Sequence, residues 1–395
     1  MEILKGFEQV NVYVDGLGIV KKTVRVENGK IAKICDCEGV DGFIKLNSDL
    51  IVLPGFIDEH VHGCNNSDGM YANLDDAKNI SKNLVSDGTS SYLITTMTQS
   101  VDNIDAALKT AKELIDNKLY EGAKPLGIHL EGPFISKKYK GAQIESCIVP
   151  CDVNLFKHFE EVSGNHIKEV TLAYEENGKE LVNYLKKKGI VASLGHTNAT
   201  CDEALEGFRE GATCTTHTYN AMKPLHHREA GVVGASLLNS DVYAELICDL
   251  IHVSDNAIRL LLKCKGKERI ILITDSMESK NLPDGKYSLG GQDVYVKNGE
   301  ARLIDGTLAG STLKLNVGLR NFKKVTGLSL EDVCDLATKN PAKNLGIFDY
   351  KGSIKEGKDA DFTVVDKDFN VRHQLEEDKA VVQLTIDFEG DPFNG

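Results

Sequence analysis

The sequence predicts a (β/α)8 TIM-type barrel of α/β class, joined to a small β-sandwich domain built from both chain termini. Three observations lead there. From residue 54 onward, eight short apolar strand patterns alternate with segments of helical periodicity, as the βα units of a parallel sheet do. The stretches before and after this region show alternating apolar and polar residues divided by Gly and Asn turns. Histidines and carboxylates gather at the C-terminal ends of the predicted parallel strands, the end on which such barrels carry their chemistry. The division that follows is 1–53 plus 347–395 for the β-sandwich domain and 54–346 for the barrel.

Taken in order, Val10 to Val14, Lys22 to Val26 and Lys30 to Ile34 alternate as half-buried strands do. The barrel strands are expected at Phe56 to His62, Thr89 to Thr96, Pro125 to Glu131, Ile167 to Ala173, Ile190 to His196, Ala212 to Thr218, Ala244 to Asp249 and Arg269 to Asp275. Helical periodicity lies between them at Asn73 to Val85, Val101 to Ile115, Lys179 to Lys188, Asp202 to Arg209 and Asp255 to Cys264, with stops such as Asp87-Gly88 and Gly189. After the eighth strand, Tyr287 to Ile304 is β-rich and interrupts the alternation as an insertion on the barrel rim, before helices resume at Leu313 to Val325 and Leu330 to Thr338. From Gly352 the chain returns to turns and alternating strand residues.

Composition narrows the function classes. The chain has 395 residues, 41% of them hydrophobic, and a formal charge of −13. That charge repels nucleic acid and anionic membranes at long range, so neither is expected as a partner. The ten cysteines show no CxxC pairing and read as reduced thiols of a cytoplasmic protein. Neither a signal-like N-terminus nor an apolar run of membrane-spanning length is seen.

The site is organised around Pro54-Gly-Phe-Ile-Asp-Glu-His60-Val-His62-Gly63. Two histidines at i and i+2 point to one face of a strand, where they can chelate one metal. At or just beyond the ends of the other strands stand Glu131, His196, His217, His252 and Asp275. Singly, each has a structural reading: a turn satisfied, a helix capped, a surface imidazole. Together they converge, and imidazole with carboxylate suits a zinc-like or iron-like divalent ion.

The segments His129-Leu-Glu-Gly-Pro-Phe134, Ser193-Leu-Gly-His-Thr197, His217-Thr-Tyr-Asn-Ala-Met222, Pro224-Leu-His-His-Arg-Glu229, Thr274-Asp275 and Leu308-Ala-Gly-Ser311 resemble the amidohydrolase superfamily. Within it, they resemble the deacetylases of N-acetylglucosamine 6-phosphate. The resemblance implies Glu131, His196 and His217 as principal metal ligands, with His60 and His62 at a second position that some members lose. One or two divalent ions per subunit are thus expected. It implies Asp275 as the catalytic acid and base. Gln143 falls where several members carry a histidine that polarises the carbonyl, and as an amide it can donate a hydrogen bond but carry no charge. Asn220, Ala221, Arg228 and His252 match the sugar-phosphate contacts, and His226 or His227 is expected to line the sugar pocket. The resemblance further implies a homodimer, with Arg228 and His252 reaching the phosphosugar across the interface. Read without the family, Arg228 would be a rim salt bridge with Glu229. An enzyme acting on the galactosamine epimer would share every ligand. A catalytically silent scaffold would have lost some of them, and here the set is complete.

Overall fold

A computed structural model describes residues 4–375, and the expected continuation of the small domain through 376–395 lies outside them. A six-stranded mixed sheet gathers the two ends of the described chain. Its strands are β1 (Gly6–Val14), β2 (Gly18–Glu27), β3 (Lys30–Cys35) and β4 (Ile51–Pro54), with β16 (Phe362–Val365) and β17 (Val371–Leu375), in the order β17-β16-β4-β1-β2-β3. Phe7, Val12, Val24, Val52, Phe362 and Val364 fill its buried face. Alternation decides that face, since every second side chain projects to the same side.

The barrel comprises β5 (Phe56–Val61), β6 (Thr89–Thr95), β7 (Lys124–Glu131), β8 (Ile167–Leu172), β9 (Val191–Leu194), β10 (Cys214–Thr215), β11 (Tyr243–Ile247) and β12 (Ile270–Ile273). They pair in sequential order in one parallel sheet. The chain crosses from the terminal sheet to the barrel at Gly55, where a Cβ would lie 2.2 Å from Ser90 Oγ. The seam between β12 and β5 is joined at the upper end: Asp275 N–H donates to His60 C=O at 2.9 Å, and His62 N–H to Ser276 C=O at 3.0 Å. Lower down, the Ala337 and Leu336 carbonyls accept from Ile57 and Leu272 N–H. The joined end of the seam therefore carries His60, His62 and Asp275 side by side.

Helices α1 (Leu74–Leu84), α2 (Val101–Asp116), α3 (Val153–Val162), α4 (Gly178–Lys188), α5 (Cys201–Glu210), α6 (Gly231–Leu238), α7 (Asp255–Lys265), α8 (Leu315–Thr326), α9 (Leu330–Asp335) and α10 (Lys339–Asn344) follow the strands. Their apolar faces bury Ile104, Leu108, Phe156, Leu181 and Phe322, among others, against the barrel. Thr200 and Glu203 form a reciprocal capping box on α5. Gly189 closes α4 at φ +70°, a conformation open to glycine without Cβ strain. The expected Tyr287 to Ile304 insertion is a three-stranded antiparallel sheet, β13 (Gly285–Leu289), β14 (Gln292–Lys297) and β15 (Glu300–Arg302). It leans on the barrel mouth through Gln292, whose amide donates to the Ala142 carbonyl. No helix among the described residues is long and apolar enough to cross a membrane.

Two sequence expectations change. The strands expected to run to His196 and Thr218 end at Leu194 and Thr215, because His196 (φ +45°) and His217 (φ +30°) leave the extended conformation. Helices α3, α6 and α10 were not expected; α6 is apolar on all sides, so it shows no amphipathic period.

Candidate metal centre

Glu131 ends β7 and is the hub of the site. Its Oε1 lies 3.2 Å from both His196 Nε2 and His217 Nε2 and 3.5 Å from His60 Nε2, while its Oε2 lies 3.5 Å from His62 Nε2. One carboxylate thus faces two histidine sets. Asp275 Oδ1 stands 3.2 Å from His62 Nε2 and 3.5 Å from His60 Nε2. His196, His217 and Asp275 all hold φ between +30° and +49°, a strained conformation for residues with a Cβ that here turns each side chain inward from its strand end.

Tautomers follow from the partners. His196 Nδ1 is 3.0 Å from the Tyr139 carbonyl, which only accepts, so Nδ1 carries the hydrogen and Nε2 presents a lone pair. That lone pair meets His217 Nε2 at 3.1 Å. His60 Nδ1 is held by the Glu245 carboxylate at 3.2 Å, and its buried Nε2 has no hydrogen-bond partner. Imidazole lone pairs converging on a carboxylate, out of water, fit a divalent cation. Glu131, His196 and His217 form one such group, and His60, His62 and Glu131 a second.

The electrostatics agree. Burial opposes charge on Glu131, yet the surrounding imidazoles hold its carboxyl well below the usual range. Burial likewise opposes charge on His60, but Glu245, Asp275 and Glu131 raise its imidazole to about 10. An entering ion therefore competes with a proton.

A cavity of about 200 Å³ opens above this hub, lined by His62, Glu131, Gln143, His196, His217, Asn220, Ala221, His252 and Asp275, with Leu289 and Leu308 from the insertion and the loop after it. Gln143 Oε1 accepts from Thr98 N–H at 2.8 Å, which orients the amide so that Nε2 donates to Glu131 Oε2 at 2.7 Å. Gln143 thus holds the hub carboxylate as well as facing the cavity. His252 lines this chain's own cavity and needs no partner to reach it. Its ring is fixed by Asp249 Oδ2 at 2.6 Å. Arg228 and His227 lie outside the cavity, exposed and paired with each other at 2.8 Å. Glu229 instead accepts from the Cys201 and Gly231 N–H groups, so the alternative reading of Arg228 as a rim salt bridge with Glu229 is not met.

Sequence reasoning missed Glu245 and Asp249, and gave Ser311 no role beyond its place in a motif. Glu245 also accepts from His217 N–H at 2.9 Å, and Ser311 N–H donates to the Asp275 carbonyl at 2.7 Å. A fully buried glutamate in the apolar strand Tyr243–Ile247 was the available signal. His129 is buried between the Glu59 carbonyl and Thr171 Oγ1. Cys64 is a buried thiol pushed up to about 12 by desolvation, as an unreactive buried cysteine is.

The closed parallel barrel and its histidine–carboxylate centre define a metal-type hydrolase scaffold, and the chain belongs to the amidohydrolase family, whose model matches residues 51–391. Its relatives within that family include sugar-phosphate deacetylases. The N-acetylglucosamine-6-phosphate deacetylase of Bacillus subtilis is 44% identical over 88% of this chain and 89% of its own. The N-acetylgalactosamine-6-phosphate deacetylase of Escherichia coli O157:H7 is 34% identical over 88% and 92%. The crystal structure of N-acetylglucosamine-6-phosphate deacetylase from Thermotoga maritima superposes with a TM-score of 0.87 at 36% identity, covering 95% of this chain and 99% of that one.

Proposed function

We propose that this chain hydrolyses the acetamide of N-acetylglucosamine 6-phosphate to glucosamine 6-phosphate and acetate, in amino-sugar metabolism. One observation carries the chemistry: Asp275 stands 3.2 Å from His62 on the wall of the same cavity into which Glu131, His196 and His217 converge. Glu131, His196 and His217 would hold a divalent ion, zinc or iron, and His60 and His62, with Glu131, would hold a second. Such an ion polarises a carbonyl and acidifies a water.

Burial opposes charge on Asp275, but His60, His62 and His217 hold its carboxyl below the usual range, and as a carboxylate it is the group placed to accept a proton from the attacking water. Delivering that proton to the amine nitrogen makes the amine, rather than water, the leaving group. Gln143 has one N–H engaged with Glu131 and a second to donate to the acetyl oxygen. Asn220, the Ala221 backbone and His252 face the sugar phosphate.

Arg228 is exposed outside its own cavity, on the same loop as the exposed Leu225. This supports a homodimer in which Arg228 enters the partner's cavity with its planar, bidentate donor set, and His227 orders that loop. The ten cysteines form no disulfide, in keeping with a cytoplasmic enzyme.

The test is acetate release from N-acetylglucosamine 6-phosphate, beside the unphosphorylated sugar and the galactosamine epimer, with metal content measured on the same sample. Turnover that needs the phosphate and stops on chelation is expected. Faster turnover of the epimer would transfer the assignment to it, and silence toward all three in a metal-loaded sample would overturn the substrate. Asp275→Asn should abolish turnover while the metal stays bound; retained turnover would remove Asp275 from the reaction.

A further inference from the structure

Beneath the centre just described, the barrel interior holds a second group of acidic side chains. Glu59 of β5, Glu169 of β8 and Cys214 of β10 bring a carboxylate oxygen each and a thiol sulfur to within 4.8 Å of one another. All three are fully buried. Glu169 pairs in register with His129, two residues before Glu131, so the group lies one side-chain layer below the hub. A chain of hydroxyls separates the layers: Thr171 Oγ1 and Ser193 Oγ each lie 2.7 Å from Thr216 Oγ1.

Glu59 reaches this layer although its neighbour His60 serves the one above. The cause is an irregularity in β5, where Asp58 to Val61 spans one residue more than its partner segment Tyr92 to Ile94.

Both oxygens of Glu169 lack a hydrogen-bond partner of good geometry, the Ser193 hydroxyl beside them being engaged with Thr216 Oγ1, and Glu59 Oε2 lacks one too. Asn344 Nδ2 donates to the other Glu59 oxygen at 3.1 Å. Among the described residues no lysine or arginine forms an ion pair with either carboxylate. Burial, then the neighbouring glutamates, pushes both the Glu169 carboxyl and the Cys214 thiol well above their usual ranges. A buried, unpartnered carboxylate is costly unless it meets a proton or a cation.

We infer that Glu59, Glu169 and Cys214 form a structural cation site, separate from the catalytic centre, that takes one zinc-class divalent ion. A thiolate with two carboxylates selects this class over calcium or magnesium, which require a larger all-oxygen set. The ion would cross-link β5, β8 and β10 through the barrel interior.

The catalytic centre offers only nitrogen and oxygen ligands, so a thiolate-to-cobalt charge-transfer absorption reports on the lower site alone. The full chain is produced in zinc-depleted, cobalt-supplemented medium, so that the ion loads during folding, and the exposed Cys37 and Cys264 are alkylated before the spectrum is taken. Expected are a thiolate–cobalt band in the wild type, its loss in Cys214→Ser and in Glu169→Gln, and one metal equivalent fewer per chain in each variant with deacetylase turnover retained. Absence of the band from the wild type, or its survival in Cys214→Ser, would overturn the site and leave the layer as buried neutral acids. The wild-type spectrum decides the matter even if both variants fail to fold.

Discussion

At the level of single residues, the centre depends on groups that touch no substrate. Glu245 fixes the His60 ring through Nδ1 and the His217 backbone through its N–H, so it sets where two candidate ligands point. Glu245→Gln keeps the shape but weakens the charge-assisted bond. Metal affinity at the His60 side should fall roughly 10–100-fold, with turnover restored by excess metal; titration with chelator-buffered zinc measures this, and an unchanged affinity would make Glu245 a bystander. Asp275 is similarly held from behind, by Ser311 N–H on its carbonyl and by its own N–H on His60. The Leu308 to Ser311 motif thus earns its place in the site through the backbone, which residue types alone do not express.

At the level of elements, short strands deliver the ligands because the chain leaves the strand conformation at the right residue. Gly195 precedes His196 where β9 passes close to the next strand, and a Cβ there would stand 2.5 Å from Thr216 Cβ and 2.9 Å from Thr171 Cγ2. Gly195→Ala should destabilise the fold by about 1–3 kcal/mol, as overpacking does, and shift His196 away from the hub. Urea unfolding and metal content together test this, and a variant with full stability and full metal would refute it.

The α6–α7 contact has its own signature. Lys265 on α7 donates to the Ser236 and Asn239 carbonyls at the end of α6, and desolvation lowers its ammonium from 10.5 to about 8. Between those pH values the unfolded chain binds a proton that the folded chain has released, so stability from this group rises with pH across the window. Lys265→Met should remove that rise when urea midpoints are compared at the two ends. An identical slope in both proteins would contradict it.

At the level of the whole molecule, a cavity that lacks its own arginine predicts shared sites. Arg228→Ala and Asp275→Asn chains, each inactive toward the phosphorylated substrate, should regain roughly a quarter of wild-type activity when refolded as an equal mixture, because half the dimers then carry one intact site. No recovery would mean that Arg228 acts within its own chain or not at all. Much of this architecture is legible in the letters. Strand-then-helix alternation marks the eight barrel strands because a strand buried on both faces is largely apolar, as Ile270–Ile273 is. Helix α6 escaped notice for the same physical reason, since burial on every side erases the period that betrays a helix.

The amino-acid sequence by itself determined the barrel, the terminal sheet, the histidine–carboxylate inventory and the family, because periodicity and residue chemistry are local properties. Tertiary structure alone decided that Glu131 is shared by two histidine sets, that Gln143 holds Glu131, that His252 lines its own chain's cavity and that Arg228 lies outside it. These are relations between residues far apart in the chain, 86 positions for His217 and Glu131 and 185 for His60 and Glu245. Closing the sheet into a barrel is what brings such positions within hydrogen-bond reach, and no local pattern records which of them will meet.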